Sequence, residues 1–452
     1  MAVITESSLT YEDFAQQIRA DPLGMMTTLR QEGSVCAIKV DGGDRLLVVT
    51  DPEVAAAALA HGSRNHRELL RELVGSGLFV VASGEQWKQR RGLLRPFFTA
   101  KAVANLHSLV IDTTEQFVTR VLVPSAGQEL DLTEVLQNLS VEIILRLVDP
   151  SLKDVELAQL TKVLVRVVEY LDRRLFDSDE MTESEHSAFS EDKGILLSFI
   201  DHRAGVQGCP GTEAGLLQEL TRELATASDE TLDAGQVLRD EVMSVFVAGV
   251  ETMGTLLTWM FYNLDGHPEA LASCTTEARS ADFELISEGQ SMSAGSLPKI
   301  KSVVEESLRL HPPAWALFRR IDEPLEAAGI QMFPGDLVLA GTFAIHRDPS
   351  LWDSPEDFRP ERFSESRPPV NQYFPFGAGP HQCIGRQFSL LEAQLAAAVL
   401  LRHGTFKLQG PRNPIGLRPA IALAPSPHPI AVYSPYEQDL RIKHEKSAVS
   451  DD

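Results

Sequence analysis

Phe374-Pro-Phe-Gly-Ala-Gly-Pro-His-Gln-Cys-Ile-Gly385 is the stretch on which the fold turns. Phe376, Gly379, Cys383 and Gly385 stand in the spacing Phe-x-x-Gly-x-x-x-Cys-x-Gly, which a chain of this composition would show by chance in roughly one random sequence in a thousand. The glycines permit tight turns and a close approach of backbone to a flat ligand. Cys383 opens a helix predicted over Ile384–His403, where the terminal amides and the helix dipole favour a thiolate. A thiolate at the tip of a glycine-rich loop, with backbone donors aimed at its sulfur, suits an axial haem ligand. Phe376 would cover the sulfur side. The competing reading makes Cys383 a small buried apolar residue.

Composition narrows the field around that motif. The 452 residues are 43% hydrophobic and 23% charged, and their 30 Gly and 26 Pro have no period, which excludes a disordered or collagen-like chain. Lys and Arg number 41 against 64 Asp and Glu, a net charge of 41 − 64 = −23, so a nucleic-acid partner is not expected. Cys36, Cys209, Cys274 and Cys383 show no Cys-x-x-Cys spacing, which argues against a zinc site, an iron–sulfur cluster and a disulfide scaffold. The amino-terminal MAVITESSLTYEDFAQQIRADP holds no continuous apolar run, so neither a secretory signal nor a membrane anchor is expected, and the protein is placed in the cytoplasm. No linker-like stretch interrupts the first 430 residues. One domain over 1–436 is expected, as a monomer, with a charged flexible tail at 437–452.

The pattern predicts a mainly α fold with small β-sheets. A helix around Pro22–Gly33 precedes short strands at Val35–Val40 and Arg45–Val49. Helical spacing then dominates to Asn263, with segments at Ala102–Val123, Leu130–Val148 and Val155–Leu171. Phe176–Lys193 is acidic and polar and reads as a mobile surface connection. Val242–Leu264 carries one charge, Glu251, and is long enough to cross a bilayer. An ionised carboxylate near its middle would cost about 2.5 kcal/mol or more in lipid. Asp233 and Gln236 have capping-box-like spacing, and Gly266-His-Pro268 stops the pattern. The run is therefore expected to be a central core helix from Ala234 to Asp265, roughly 48 Å long at 1.5 Å per residue. Beyond it come a helix ending at Pro312, strand-like pieces at Leu325–Ile330 and Leu337–Gly341, and a hairpin around Pro419–Tyr433.

Three further stretches fall in order around the cysteine motif. Trp87-Lys-Gln-Arg-Arg91 pairs an indole N–H with a guanidinium four residues on, both suited to a carboxylate. Ala248-Gly-Val-Glu-Thr252 sets an acid and a hydroxyl inside the apolar helix, where unpaired polar groups are expensive; the competing reading has Thr252 bonding its own helix carbonyl and Glu251 reaching a surface arginine. Glu306-Ser-Leu-Arg309 shares one helix face and precedes His311-Pro-Pro313 and Pro360-Glu-Arg-Phe363. With the cysteine loop, these make nearly the whole chain resemble the cytochrome P450 family of haem-thiolate monooxygenases, in its soluble bacterial type.

That resemblance implies the cytochrome P450 fold with the long helix crossing the haem, and haem b as cofactor with the Cys383 thiolate on the iron. Gly385 and Phe376 belong to the ligand loop. Trp87, Arg91, His381 and Arg319 would hold the propionates, although Arg320 beside Arg319 leaves two registers open. Ala248 and Gly249 would leave room above the porphyrin, Thr252 would hydrogen-bond dioxygen, and Glu251 would feed protons through water. Glu306, Arg309 and Arg362 would form a structural cluster. Substrate contacts would come from the Arg67–Ala82 loop, Val245, Trp315, Ala316, Leu317 and the Ala420–Leu423 turn, with Trp315 equally readable as a packing residue. Electrons would come from a separate ferredoxin or flavodoxin with its reductase, docked on Lys88, Arg90, Arg95 and Arg386, which are equally readable as scattered solvated charges.

The expected reaction is hydroxylation or epoxidation of a small natural-product or lipid-like molecule. Desaturation, coupling or peroxide-driven oxidation on the same haem stays open. A haem-binding sensor or electron carrier is a third reading.

Overall fold

Asp233 accepts the Gln236 N–H at 3.1 Å and so starts the helix Ala234–Gly266, whose 33 residues carry the predicted apolar run. The computed structural model describes residues 4–40, 44–63, 70–71, 74–78, 80–81, 84–176, 181–205, 215–226, 233–287, 297–410 and 415–436. The expected tail at 437–452 and much of the 67–82 loop lie outside the described residues. Among these, Ala234–Gly266 alone is long and apolar enough to cross a membrane, and 78% of its apolar window is buried inside the protein. Phe246, Val250, Leu257 and Met260 are fully buried along it.

Its closest companion is the helix Leu132–Val148. A Cβ at Gly249 would lie 2.6 Å from Ile144 Cδ1, and one at Gly254 would lie 2.7 Å from the Gln137 Cα. The missing side chains therefore let two backbones approach, which adds a packing role to the space expected at Gly249. The helix Arg386–His403 closes the same core, with Ala396 to Leu401 fully buried.

Twelve strands form four small sheets among the described residues. β1 (Ile4–Glu6), β2 (Val35–Lys39), β3 (Arg45–Val49), β5 (Leu317–Arg320) and β8 (Leu337–Ala340) make the largest, in the order β1-β2-β3-β8-β5. β3 and β8 run parallel, while β5 and β8 are antiparallel with Arg319 opposite Val338. This topology brings Leu317 and Arg319 from mid-chain to the sheet's end. β4 (Glu129–Asp131), β12 (Ile430–Pro435) and β9 (Gly404–Leu408) form a second sheet. β6 (Leu325–Ala327) pairs with β7 (Ile330–Met332), and β10 (Gly416–Pro419) with β11 (Leu423–Ser426).

Several boundaries differ from expectation for physical reasons. Glu183–Gly205 is a 23-residue helix where a mobile connection was expected. Glu183, Glu191 and Asp201 face solvent, while Phe189, Leu196 and Ile200 pack inward and Asp192 is buried against Arg166. Thr182 and Glu185 cap it reciprocally at 2.7 and 3.3 Å, a spacing present in the sequence. The expected Ala102–Val123 helix is broken into Ala100–Val103, a tight turn Ala104–Leu106, a helix His107–Phe117 and a wide turn Val118–Leu122. The carboxy-terminal hairpin is Gly416–Ser426, because Ile430–Pro435 leaves it to pair with β4 and β9.

Candidate active site

Backbone bonds shape the cysteine loop. Gly377 N–H donates to Phe374 O at 2.9 Å, Gln382 N–H to Gly379 O at 3.1 Å, and Cys383 N–H to Phe376 O at 2.9 Å. Gly379 sits at φ 69°, and a Cβ there would fall 2.6 Å from the Ala60 Cα, so the loop lies directly on the helix Pro52–His61. Phe374 N–H donates to His346 Nε2 at 3.1 Å. Burial, reinforced by Arg309 and Arg347, drives the His346 pKa down to about 3, so the ring stays neutral and can accept that bond.

Behind His346 stands the arginine cluster. Arg309 donates from Nε and Nη2 to the two Glu306 oxygens, both at 2.8 Å, and both residues are fully buried. Arg309 also reaches the carbonyls of His346 (2.9 Å) and Pro355 (2.7 Å), and Arg362 Nε meets Glu306 at 3.1 Å. A buried pair of this kind stands only when its remaining donors are satisfied. Here the carbonyls satisfy them, and the cluster ties the Pro355–Arg362 segment to the base of the cysteine loop.

Cys383 faces a cavity of about 420 Å³ with mostly apolar walls. Val245, Ala248, Gly249 and Thr252 of the long helix and Phe376, Cys383, Ile384 and Gly385 of the cysteine loop line it together. Ala316 and Leu317 close a flank, and Leu78 contributes from the 67–82 loop. Thr252, which lines the cavity, donates its hydroxyl to its own helix carbonyl at Ala248 O at 2.8 Å, as in the competing reading of the sequence. Cationic and N–H groups also line it: Trp87, Arg91, Arg319 and His381. The Trp87 and His381 rings lie 4.4 Å apart, and Arg91 donates to Gln382 O at 3.0 Å. Burial lowers the Arg91 pKa, with Cys383 opposing the shift and Arg95 adding to it. Of the two registers left open by sequence, Arg319 is buried at the cavity and Arg320 is exposed.

Three expected site residues lie elsewhere. Glu251 does not line the cavity; it is 8% exposed and turns aside to accept the Ala422 N–H at 3.4 Å. Burial raises its pKa well above the usual carboxylate value, and Asp172 raises it further. Trp315 also stands outside the cavity wall: its Nε1 donates to Ala420 O at 3.0 Å and its ring packs beside Leu23, Phe343 and Leu423. Arg90 is buried and pairs with Glu241 at 3.4 Å, so it leaves the expected docking face. Lys88, Arg95 and Arg386 remain exposed around a shallow depression behind Cys383.

The structure adds Glu392, fully buried in the cavity lining, where Ser140 Oγ donates to it at 3.2 Å. Burial lifts its pKa to about 8. A lone acid within the Leu390–Leu401 run, apolar apart from it and Gln394, was its signal in the sequence.

A mostly apolar cavity lined by a cysteine sulfur, small residues and cations fits a flat apolar macrocycle bearing carboxylates. That donor set suits haem, with Cys383 on the iron and the basic residues on the propionates.

A family model described as Cytochrome P450 matches residues 14–432. Cyclooctat-9-en-7-ol 5-monooxygenase of Streptomyces melanosporofaciens is 27% identical over 84% of this chain and 84% of its own length. The bifunctional cytochrome P450/NADPH–P450 reductase 2 of Bacillus subtilis (strain 168) is 28% identical over 85% of this chain, which spans 37% of that protein. Among solved structures, CYP175A1 of Thermus thermophillus superposes with a TM-score of 0.74 at 23% identity, covering 95% of this chain and 99% of that one.

Proposed function

We propose that this chain, which belongs to the cytochrome P450 family and is a cytochrome P450 monooxygenase, oxidises an apolar natural-product or lipid-like molecule in the cytoplasm, using electrons from a separate ferredoxin or flavodoxin. The observation that carries the reading is one cavity lined together by Cys383, by Ala248 and Thr252 of the long helix, and by Arg91, Arg319, Trp87 and His381. Haem bound there supplies the iron that activates dioxygen.

The chain's own residues do the rest. Cys383 donates its thiolate, held at the helix start by the loop that His346 and Phe376 fix. Arg91, Arg319, His381 and Trp87 orient the propionates. Val245, Ala316 and Leu317 present an apolar wall to the substrate. Thr252 lines the cavity and passes a proton there, and its chain neighbour Glu251 stores the proton beside Ala422. Lys88, Arg95 and Arg386 give an acidic electron donor a local basic landing on a protein of net charge −23. The similarity to an enzyme named for cyclooctat-9-en-7-ol supports a role in secondary metabolism.

Thr252→Ala tests the relay. It is expected to raise peroxide released per electron consumed several-fold, and unchanged coupling would remove Thr252 from proton delivery.

A further inference from the structure

The turn of the β10–β11 hairpin is held by side chains from three separate elements. Trp315 Nε1 donates to Ala420 O at 3.0 Å, and Trp259 Nε1 to Leu423 O at 2.7 Å. Between them, Ile421 N–H donates to Asp172 Oδ1 at 3.0 Å and Ala422 N–H to Glu251 Oε1 at 3.4 Å. Asp172 comes from the helix Asp154–Phe176, and it also pairs with Arg418 of β10. Two carboxyl groups thus meet under one turn with one arginine.

Their donors are unequal. Asp172 has a guanidinium and a backbone N–H. Glu251 has one long backbone contact, and its Oε2 is buried with no hydrogen-bond partner among the described residues. An ionised oxygen left bare in that setting is costly, whereas a protonated one removes both the bare charge and the repulsion from Asp172.

We propose that Asp172 is a positioning residue for Glu251: fixed by Arg418 and Ile421 under the same turn, its carboxyl group favours a proton on Glu251 for as long as the hairpin turn is docked. Lifting the turn admits water, whose solvation of the carboxylate outweighs the lost Ala422 donor because burial is the largest upward influence on Glu251, so the proton leaves Glu251. The raised pKa of Glu251 agrees with this geometry, burial and Asp172 acting upward while Ala422 and Arg418 act downward. Docking and proton retention are therefore linked. The docked state binds the proton more tightly, so opening becomes easier as pH rises from the ordinary carboxylate value of 4.5 toward the raised one, by up to about tenfold per pH unit. This catch uses the same carboxyl as the relay proposed above, but it is tested without turnover.

The test is amide hydrogen exchange of the 416–426 segment in the haem-loaded enzyme between pH 5.5 and 8.5, corrected for intrinsic exchange. In the wild type the opening constant is expected to rise with pH, by up to tenfold per unit. Glu251→Gln, whose amide oxygen still accepts from Ala422, is expected to abolish the dependence. Asp172→Asn is expected to shift it to lower pH. An opening constant independent of pH in the wild type, or a dependence retained in Glu251→Gln, overturns the proposal. An unmoved midpoint in Asp172→Asn removes Asp172 from it. If Glu251→Gln loses the pH dependence yet releases no more peroxide than wild type, the catch stands and the relay falls.

Discussion

Replacing His346 by Gln keeps an acceptor near the Phe374 N–H and removes a titrating ring from the core. In the folded protein His346 takes up a proton only near pH 3, against 6.5 for a free imidazole. The unfolded chain therefore binds that proton first. Stability is complete above pH 6.5, falls as pH drops through that value, and is fully reduced near pH 3. One pKa unit is about 1.4 kcal/mol, so the loss from this ring is about 1.4 kcal/mol at pH 5.5, about 3 at pH 4.5 and about 5 at the limit. Urea unfolding of the holoenzyme, followed by haem absorbance and tryptophan fluorescence from pH 7.5 to 4.5, measures it. The Gln variant starts lower at pH 7.5 because the tilted and edge-on ring contacts with Tyr373, Phe374 and Trp352 are lost, and its stability then falls less steeply than the wild type by close to one proton. Parallel curves would refute the neutral-imidazole account of the loop anchor.

Other consequences follow from the same geometry. Gly379→Ala places a Cβ against the Ala60 backbone at φ 69°, a cost of at least about 1–3 kcal/mol; titrating haem into the variant is expected to show weaker retention with the helical circular-dichroism signal intact. Arg386→Glu, on the exposed basic face, is expected to slow reduction by an acidic ferredoxin about tenfold at low salt, with the difference closing at high salt; equal rates at both would move the docking site elsewhere.

What the sequence could and could not reveal divides along physical lines. The long helix was legible because its cap, its apolar run and its Gly-His-Pro stop are all local. The cysteine loop was legible because its turns demand glycines at fixed spacing. Glu183–Gly205 was misread because its acids were taken as a solvated connection, although the Thr182–Glu185 cap was there to be seen. Arg90, Glu251 and Trp315 depend on partners 100 or more residues away: Glu241, Ala422 and Ala420. No local pattern says which way such a side chain turns. The choice between Arg319 and Arg320 was likewise settled by pleat direction in β5, which is fixed by pairing with β8.

The most direct measurement is the absorbance spectrum of the purified protein, reduced and exposed to carbon monoxide, beside Cys383→Ser. A strongly red-shifted Soret band in the wild type that vanishes in the variant is the predicted result. A protein that takes up no haem, or a band unchanged by losing Cys383, would contradict the assignment of the slot and every role built on it.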